Sequence, residues 1–199
     1  MGNRMENNFF AMMSRMKYID RWALMRNSQS ENIAEHSLEV SMLAHALAII
    51  NNKRLGGNIN ADRVAIIALY HDSTEIITGD MPTPIKYYNN EIQDAFKKIE
   101  KVAAHQLLNM LPEDLKDSYD SIFFPRECEE HMKKLVKAAD KLSALIKCIK
   151  EEKAGNTEFV SAKNSVTNML KDMELPEVNI FMEEFLPSYY KTLDELNRK

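Results

Sequence analysis

Asn32-Ile33-Ala34-Glu35-His36-Ser37-Leu38-Glu39-Val40-Ser41-Met42-Leu43-Ala44-His45-Ala46-Leu47 carries the helical signal of this chain in its plainest form. Val40, Leu43 and Leu47 recur at helical spacing and form one apolar stripe. Asn32 is a natural N-cap, and Glu35 three positions on completes a capping box. The pattern predicts a helix from Ile33 to about Asn52 that stops before Gly56-Gly57. His36 lies on the apolar stripe, one turn before Val40, so an imidazole is aimed at the core. Taken alone, the plainer reading is a core histidine bonded to a carbonyl or carboxylate.

The next helix repeats the anomaly. Asn60 can cap a helix from Ala61 to about Ile77, which Gly79 ends. Val64, Ile67 and Ala68 make its inward face, and His71 and Glu75 continue that face, with Asp72 beside His71. Burying three titratable groups without a partner is expensive. A divalent cation is a sufficient partner, because imidazole and carboxylate suit a borderline or hard metal. A satisfied polar cluster under a loop is the alternative. Further on, Asp140 sits in Ala138-Ala139-Asp140-Lys141-Leu142-Ser143-Ala144, where small neighbours leave room for a site. An ion pair with Lys137 is the competing reading of Asp140. His45 is nine positions from His36, and His131 nine from Asp140, which places each on the opposite helix face. His105 lies among lysines and glutamates. These three read as surface or packing residues.

Outward from these segments the chain stays helical. Helices are expected over Phe9 to Tyr18, Asn90 to Met110, Glu129 to Lys153, Glu158 to Met173 and Pro176 to Asn197, with Pro187 kinking the last. Asp20 to Gln29, with Arg21, Trp22 and Arg26, is irregular. Asp80-Met81-Pro82-Thr83-Pro84 is expected to be non-helical, because two prolines break it. Nothing alternates with a period of two. Methionine, a helix former, occurs thirteen times against five glycines and six prolines. The expectation is an all-α bundle of six to eight helices, one domain over residues 1–199, long enough for a full core.

A net charge of −4 argues against a protein that coats a nucleic-acid polymer, while leaving room for a local basic pocket. Cys128 and Cys148 form no CxxC pattern and read as reduced thiols. MGNRMENNFF lacks the apolar core of a signal peptide, and Met1-Gly2 lacks the Ser/Thr of a myristoylation signal. No stretch reads as long and apolar enough to span a bilayer. The expected compartment is the cytoplasm, with no membrane partner.

An inward histidine, then His71-Asp72 at a helix end, then a late Asp140, resembles the H…HD…D pattern of the HD-domain phosphohydrolase superfamily. Four segments spread between Ile19 and Pro84 look, in their order and spacing, like signatures of bacterial 5′-deoxynucleotidases. They are Ile19 to Arg26, Asn32 to Ser37, Tyr70 to Glu75 and Thr78 to Pro84. The resemblance implies an HD fold with one divalent metal (cobalt, manganese, zinc or similar) held by His36, His71, Asp72 and Asp140. It implies phosphatase activity on deoxynucleoside 5′-monophosphates, and a homodimer.

Roles follow for the remaining residues. Glu75 is the candidate to position or deprotonate a water, or else to anchor a histidine ligand. Asp80, by resemblance, binds substrate or protonates the leaving 5′-oxygen; a turn-forming aspartate is the alternative. Arg21 can grip phosphate oxygens in a bidentate fork, with Lys86 a weaker candidate. Trp22, the only tryptophan, by resemblance lines the sugar side, where bulk excludes a ribose 2′-hydroxyl. A core tryptophan anchoring the loop is its other reading. Thr83, between two prolines, offers a hydroxyl to the nucleotide, and Met81 and Pro82 share that segment. His36, Asp72 and Asp140 are also expected to touch substrate, and Asp72 to take part in catalysis. The rivals are an HD hydrolase of other substrate choice, a non-catalytic nucleotide-binding HD module, and a purely helical interaction protein.

Overall fold

The structure is a computed structural model describing residues 7–86 and 88–197. The reading of Met1-Gly2 lies outside these. In chain order the helices are α1 (Phe9–Met13), α2 (Ile33–Arg54), α3 (Ala61–Tyr70), α4 (Glu75–Thr78), α5 (Thr83–Lys86), α6 (Asn90–Leu108), α7 (Glu113–Phe123), α8 (Glu130–Lys153), α9 (Val160–Asp172), α10 (Pro176–Glu184) and α11 (Leu193–Leu196). Among the described residues an isolated bridge between Asp20 and Asn32 is the nearest approach to a strand. The fold is all-α, as expected.

Helices α2, α3 and α8 form the centre. Val40, Leu43 and Leu47 of the predicted stripe are buried against Val64, Ile67 and Ala68 of α3 and Leu135, Leu142 and Ile146 of α8. Ala44, Ala48, Ala138 and Ala139 are also buried there. Truncating one of these buried leucines to alanine costs about 2–5 kcal/mol. A smaller cluster joins Phe9 of α1 to Leu107, Leu108 and Leu111 after α6, with Tyr119 and Phe123 of α7 packed on it.

The structure corrects the sequence reading at several elements. The expected helix Ala61 to Ile77 breaks after Tyr70. The N–H groups of His71, Ser73 and Glu75 each bond the carbonyl three residues back, at 3.4, 3.1 and 2.9 Å, which is tighter than an α-helix. Ser73 Oγ donates to the Tyr70 carbonyl at 2.6 Å and His71 Nδ1 bonds the Ala68 carbonyl at 2.7 Å, so side chains compete with the helical ladder. The segment Asp80 to Pro84 is not wholly irregular, since α5 begins at Thr83. The Pro82 carbonyl accepts from Ile85 and Lys86 N–H at 2.9 and 3.0 Å, and Pro84 falls in the first turn, where a missing N–H costs nothing. Helix α7 was not expected at all. The first expected helix is α only to Met13 and 3₁₀ from Ser14 to Tyr18, and the last is interrupted by a 3₁₀ turn over Leu186–Tyr190 at Pro187.

Among the described residues one helix, α2, is long and apolar enough to cross a membrane by length and composition, contrary to the sequence reading. Half of its apolar window is buried inside the bundle, as befits a core helix.

Candidate active site

The capping box at the start of α2 is formed: the Asn32 side chain accepts from Ala34 and Glu35 N–H at 3.1 and 3.0 Å. This fixes the first turn, which carries His36 inward until it is 1% exposed. His36 Nε2 lies 3.4 Å from Asp72 Oδ2 and 3.3 Å from Asp140 Oδ1. His71 Nε2 lies 3.1 Å from Asp72 Oδ2. The structure thus groups His36 of α2 with His71 and Asp72 of the α3–α4 turn closely enough to share one ion, and Asp140 of α8 reaches that group through His36.

The hydrogen bonds fix what those nitrogens offer. Ser143 Oγ donates its proton to Glu39 Oε2 at 2.7 Å, so at 3.1 Å from His36 Nδ1 it acts as acceptor, and Nδ1 carries the hydrogen. The carbonyl of Ala68 can only accept, so His71 Nδ1 also carries one. Both Nε2 atoms are buried and without a hydrogen-bond partner. Two lone pairs therefore face two carboxylates, an arrangement that needs a cation or a proton between them. Donor separations of 3.1–3.4 Å are the edges that bonds of about 2.0–2.2 Å make around one ion. The donor set fits a borderline divalent metal.

A proton competes for the same place. Burial works against charge on His36, but Asp140 and Asp72 outweigh it and raise its pKa. Burial also pushes up both carboxyls, yet the imidazoles hold Asp72 well below the usual range, and His36 with Lys141 does the same for Asp140. Lys141, rather than the Lys137 of the competing reading, pairs with Asp140, at 2.9 Å.

Asp72 and Asp140 form part of the floor of a cleft of about 460 Å³. Arg21 and Trp22 line it from the irregular loop, and Asp80, Met81, Pro82 and Thr83 line it from the segment before and into α5. His36 lies beneath this floor, and His71 borders a second, smaller cleft between α3 and α8. Arg21 Nε bonds Glu31 at 2.8 Å and its Nη1 reaches Asp72 Oδ2 at 3.5 Å. Trp22 has a φ of 60°, a left-handed conformation that costs a non-glycine residue about 1–3 kcal/mol. Its ring tilts against Phe159 at 5.3 Å while the residue lines the cleft. Lys86 lines the cleft but is bound to Glu100 at 2.8 Å.

Glu75 is 6% exposed, and burial, then the like charges of Asp72 and Asp80, push its carboxyl up to about 9. Burial raises Asp80 too, against the pull of Arg21. The cleft therefore holds carboxyl groups with opposite tendencies, Asp72 and Asp140 ionised and Glu75 protonated, a usual separation of roles in acid–base chemistry.

The sequence reading missed three things here. Glu31, bonded to Arg21, carried no pattern. The Ser143–Glu39 pair behind His36 is remote in sequence. Helix α9 carried no functional expectation, yet Ser161, Ser165 and Met169 line the cleft at a spacing of four. That spacing was the available signal. His45, His105 and His131 stand apart: they meet Asp62 at 3.8 Å, the Phe124 ring at 4.9 Å and Glu177 at 2.9 Å.

The chain resembles known proteins in sequence and in fold. It is 47% identical to the 5′-deoxynucleotidase YfbR of Escherichia coli over 193 residues, covering 97% of both chains. An HD-domain phosphohydrolase from Listeria innocua superposes with a TM-score of 0.79 at 23% identity, covering 92% of this chain and 88% of that one. A cyanophage S-2L HD phosphohydrolase, solved bound to dA and one catalytic Zn2+ ion, superposes with a TM-score of 0.63 at 21% identity over 92% and 96% of the chains. The profile of the YfbR-like 5′-deoxynucleotidases matches residues 8–189, and the chain belongs to that family.

Proposed function

We propose that this protein is a metal-dependent 5′-deoxynucleotidase, releasing phosphate from deoxyribonucleoside 5′-monophosphates. One observation carries the reading: two buried, unpartnered imidazole nitrogens face two carboxylates at the floor of a cleft walled by Arg21 and Trp22. His36, His71, Asp72 and Asp140 would hold one divalent cation; the identity of the metal is open among cobalt, manganese and zinc. When bound, such a cation polarises a phosphoryl oxygen and acidifies water.

The chain's own residues supply the rest. Arg21 swings its guanidinium from Asp72 to grip the phosphate oxygens. Glu75 orients the attacking water and takes its proton once the local charge has lowered its pKa. Asp80, whose carboxyl is held up by burial, protonates the leaving 5′-oxygen. Trp22 stands against the sugar and leaves no room for a 2′-hydroxyl. Met81, Pro82 and Thr83 close over the nucleotide; a segment stiffened by two prolines loses little entropy on doing so.

Residues 1–199 are read as one HD domain acting as a homodimer in the cytoplasm. Both cysteines are unpaired, as a reducing compartment favours. The outward face of α2 carries Leu38, Met42 and Ile49, all exposed, which favours a second copy as its cover.

The test is phosphate release by metal-stripped protein from paired ribo- and deoxyribonucleoside 5′-monophosphates, with and without cobalt or manganese. Release from the deoxy forms alone, dependent on metal and abolished by Asp72→Asn, is expected. Equal release from both sugars would sink the role given to Trp22. No release with any metal would sink the enzyme and favour a nucleotide-binding module.

A further inference from the structure

The loop Asp20–Glu31, which carries Arg21 and Trp22, contains no buried residue. It has no core of its own, and Leu24 near its tip is 69% exposed. Such a segment is mobile unless polar contacts hold it. Its neck is tied by Arg21 N–H to the Glu31 carbonyl at 2.9 Å and Ile33 N–H to the Ile19 carbonyl at 3.0 Å. Its far side is tied by Arg26 N–H to Glu158 Oε1 at 3.1 Å and, on α8, chiefly by one buried carboxylate.

That carboxylate is Glu151, 1% exposed. Its Oε2 accepts from Ser28 N–H at 2.8 Å, Ser28 Oγ at 2.6 Å and Asn156 Nδ2 at 2.8 Å. Its Oε1 accepts from Lys147 Nζ at 2.5 Å and Gln29 N–H at 3.4 Å. Lys147 is itself buried and donates to the Gln29 carbonyl at 2.5 Å, and Asn156 donates to the Arg26 carbonyl at 2.7 Å. The Lys147 ammonium also sits 5.6 Å from the centre of the Phe159 ring, the ring that packs on Trp22. The bonds of Glu151 and Lys147 draw the loop onto α8, which carries Asp140 about three turns earlier and Ser143 about two.

We propose that Glu151 is a positioning residue: by anchoring the Asp20–Glu31 loop to α8, it sets Arg21 and Trp22 in register with the His36–Asp72–Asp140 floor, and so governs affinity for the 5′-phosphate and discrimination at the sugar. Glu151 touches no substrate. Both carboxylate oxygens of the buried Lys147–Glu151 pair accept from the loop and the ammonium donates to the Gln29 carbonyl, so both members of the pair engage the loop. The left-handed backbone at Trp22 is held locally by Met25 N–H and Asn27 Nδ2, which donate to the Trp22 carbonyl at 2.9 and 3.3 Å, and the Glu151 anchor fixes where that turn sits. The inference rests on the deoxynucleotidase reading for its kinetic arm only.

Glu151→Gln keeps the shape but turns one acceptor into a donor that faces other donors. Trp22 is the chain's single tryptophan, so intrinsic fluorescence reports the loop directly, whatever the activity. The variant is expected to keep its far-UV helicity and bind cobalt with unchanged stoichiometry. Its Trp22 emission shifts to the red and is quenched more readily by acrylamide. KM for deoxynucleotides rises about tenfold, with a smaller change in kcat and a reduced deoxy-over-ribo ratio, since misplacement of order 1 Å carries such costs. Ser28→Ala, which removes one hydroxyl bond and keeps the backbone bond, moves the same quantities in the same direction by less. A folded Glu151→Gln with native Trp22 emission and unchanged KM overturns the proposal. If that variant does not fold, native emission and KM in Ser28→Ala overturn it. A red-shifted variant of a protein that never releases phosphate supports the anchor and refutes the enzyme.

Discussion

Ser143 holds its hydroxyl between two partners, and each constrains the other. Glu39 takes the proton, so the oxygen must accept from His36 Nδ1, which leaves Nε2 as a bare lone pair toward Asp72 and Asp140. Ser143→Ala removes the acceptor and frees the ring to turn or to change tautomer. Affinity for cobalt or zinc, measured by calorimetric titration, is expected to fall about 10–100-fold, as for other partners behind histidine ligands. Unchanged affinity would show that packing alone sets the ring. Glu75 makes a prediction about pH. Its carboxyl is raised from 4.5 to about 9 in the fold, so between those values the folded state binds more protons than the unfolded. Its contribution to stability is full below pH 4.5 and is lost as pH rises toward 9. In metal-free protein this window costs up to about 1.4 kcal/mol per pH unit. Glu75→Gln should flatten the dependence of Tm on pH across the window, read by calorimetry in chelator. Equal slopes in both proteins would refute a protonated Glu75. At this scale a joint ligand set of His36, His71, Asp72 and Asp140 came only with the resemblance to HD phosphohydrolases; the polar interruptions of apolar faces at His36, His71 and Glu75 were legible from the pattern. Glu39, Glu31 and Glu151 were not, because a carboxylate on a helix or loop looks solvated until the partner, 104 residues away for Glu39, is known.

Among elements, the start of α2 has the most leverage, because its cap fixes the turn that aims His36. Asn32→Ala is expected to cost about 1 kcal/mol, or about 2–4 °C in Tm for a chain of this size, and to weaken metal binding. Asn32→Asp should preserve both, since aspartate caps as well as asparagine. Equal loss in the two variants would point to the Asp20–Asn32 bridge instead. The capping box was readable because it is local: donor and acceptor lie within three residues. The central helices were readable for the same reason, as their apolar faces repeat. Helix α7 was not, for its eleven residues bury no side chain completely, and their stripe of Leu115, Tyr119 and Phe123 is short. Pro112 before Glu113 and Asp114 was the sign of its start. The break at Tyr70 was hidden too. The apolar period runs through it, and only the side-chain bonds of His71 and Ser73 to nearby carbonyls tighten the turn.

At the scale of the whole molecule, the question is what covers the outside of α2. Its inner face belongs to the core, yet Leu38 and Met42 are 56% and 59% exposed and Ile49 is 39% exposed. The three fall on one line of the helix, with His45, bonded weakly to Asp62, among them. A soluble monomer rarely leaves such a row bare, and a stable pair of chains buries about 1,200–2,000 Å². The apolar length of α2, which meets the test for a membrane span, has the same origin: one face serves the core and the other would serve a partner chain. Because this row lies on the helix that aims His36, pairing would also stiffen the site, coupling assembly to metal affinity. Sedimentation of the native protein at micromolar concentration is expected to give twice 23.0 kDa. Met42→Glu places a charge in the middle of the row and should halve the mass while leaving far-UV helicity intact, because the residue does not contribute to the core. A native protein that sediments as a monomer, or a Met42→Glu variant that still pairs, would move the interface elsewhere on the surface.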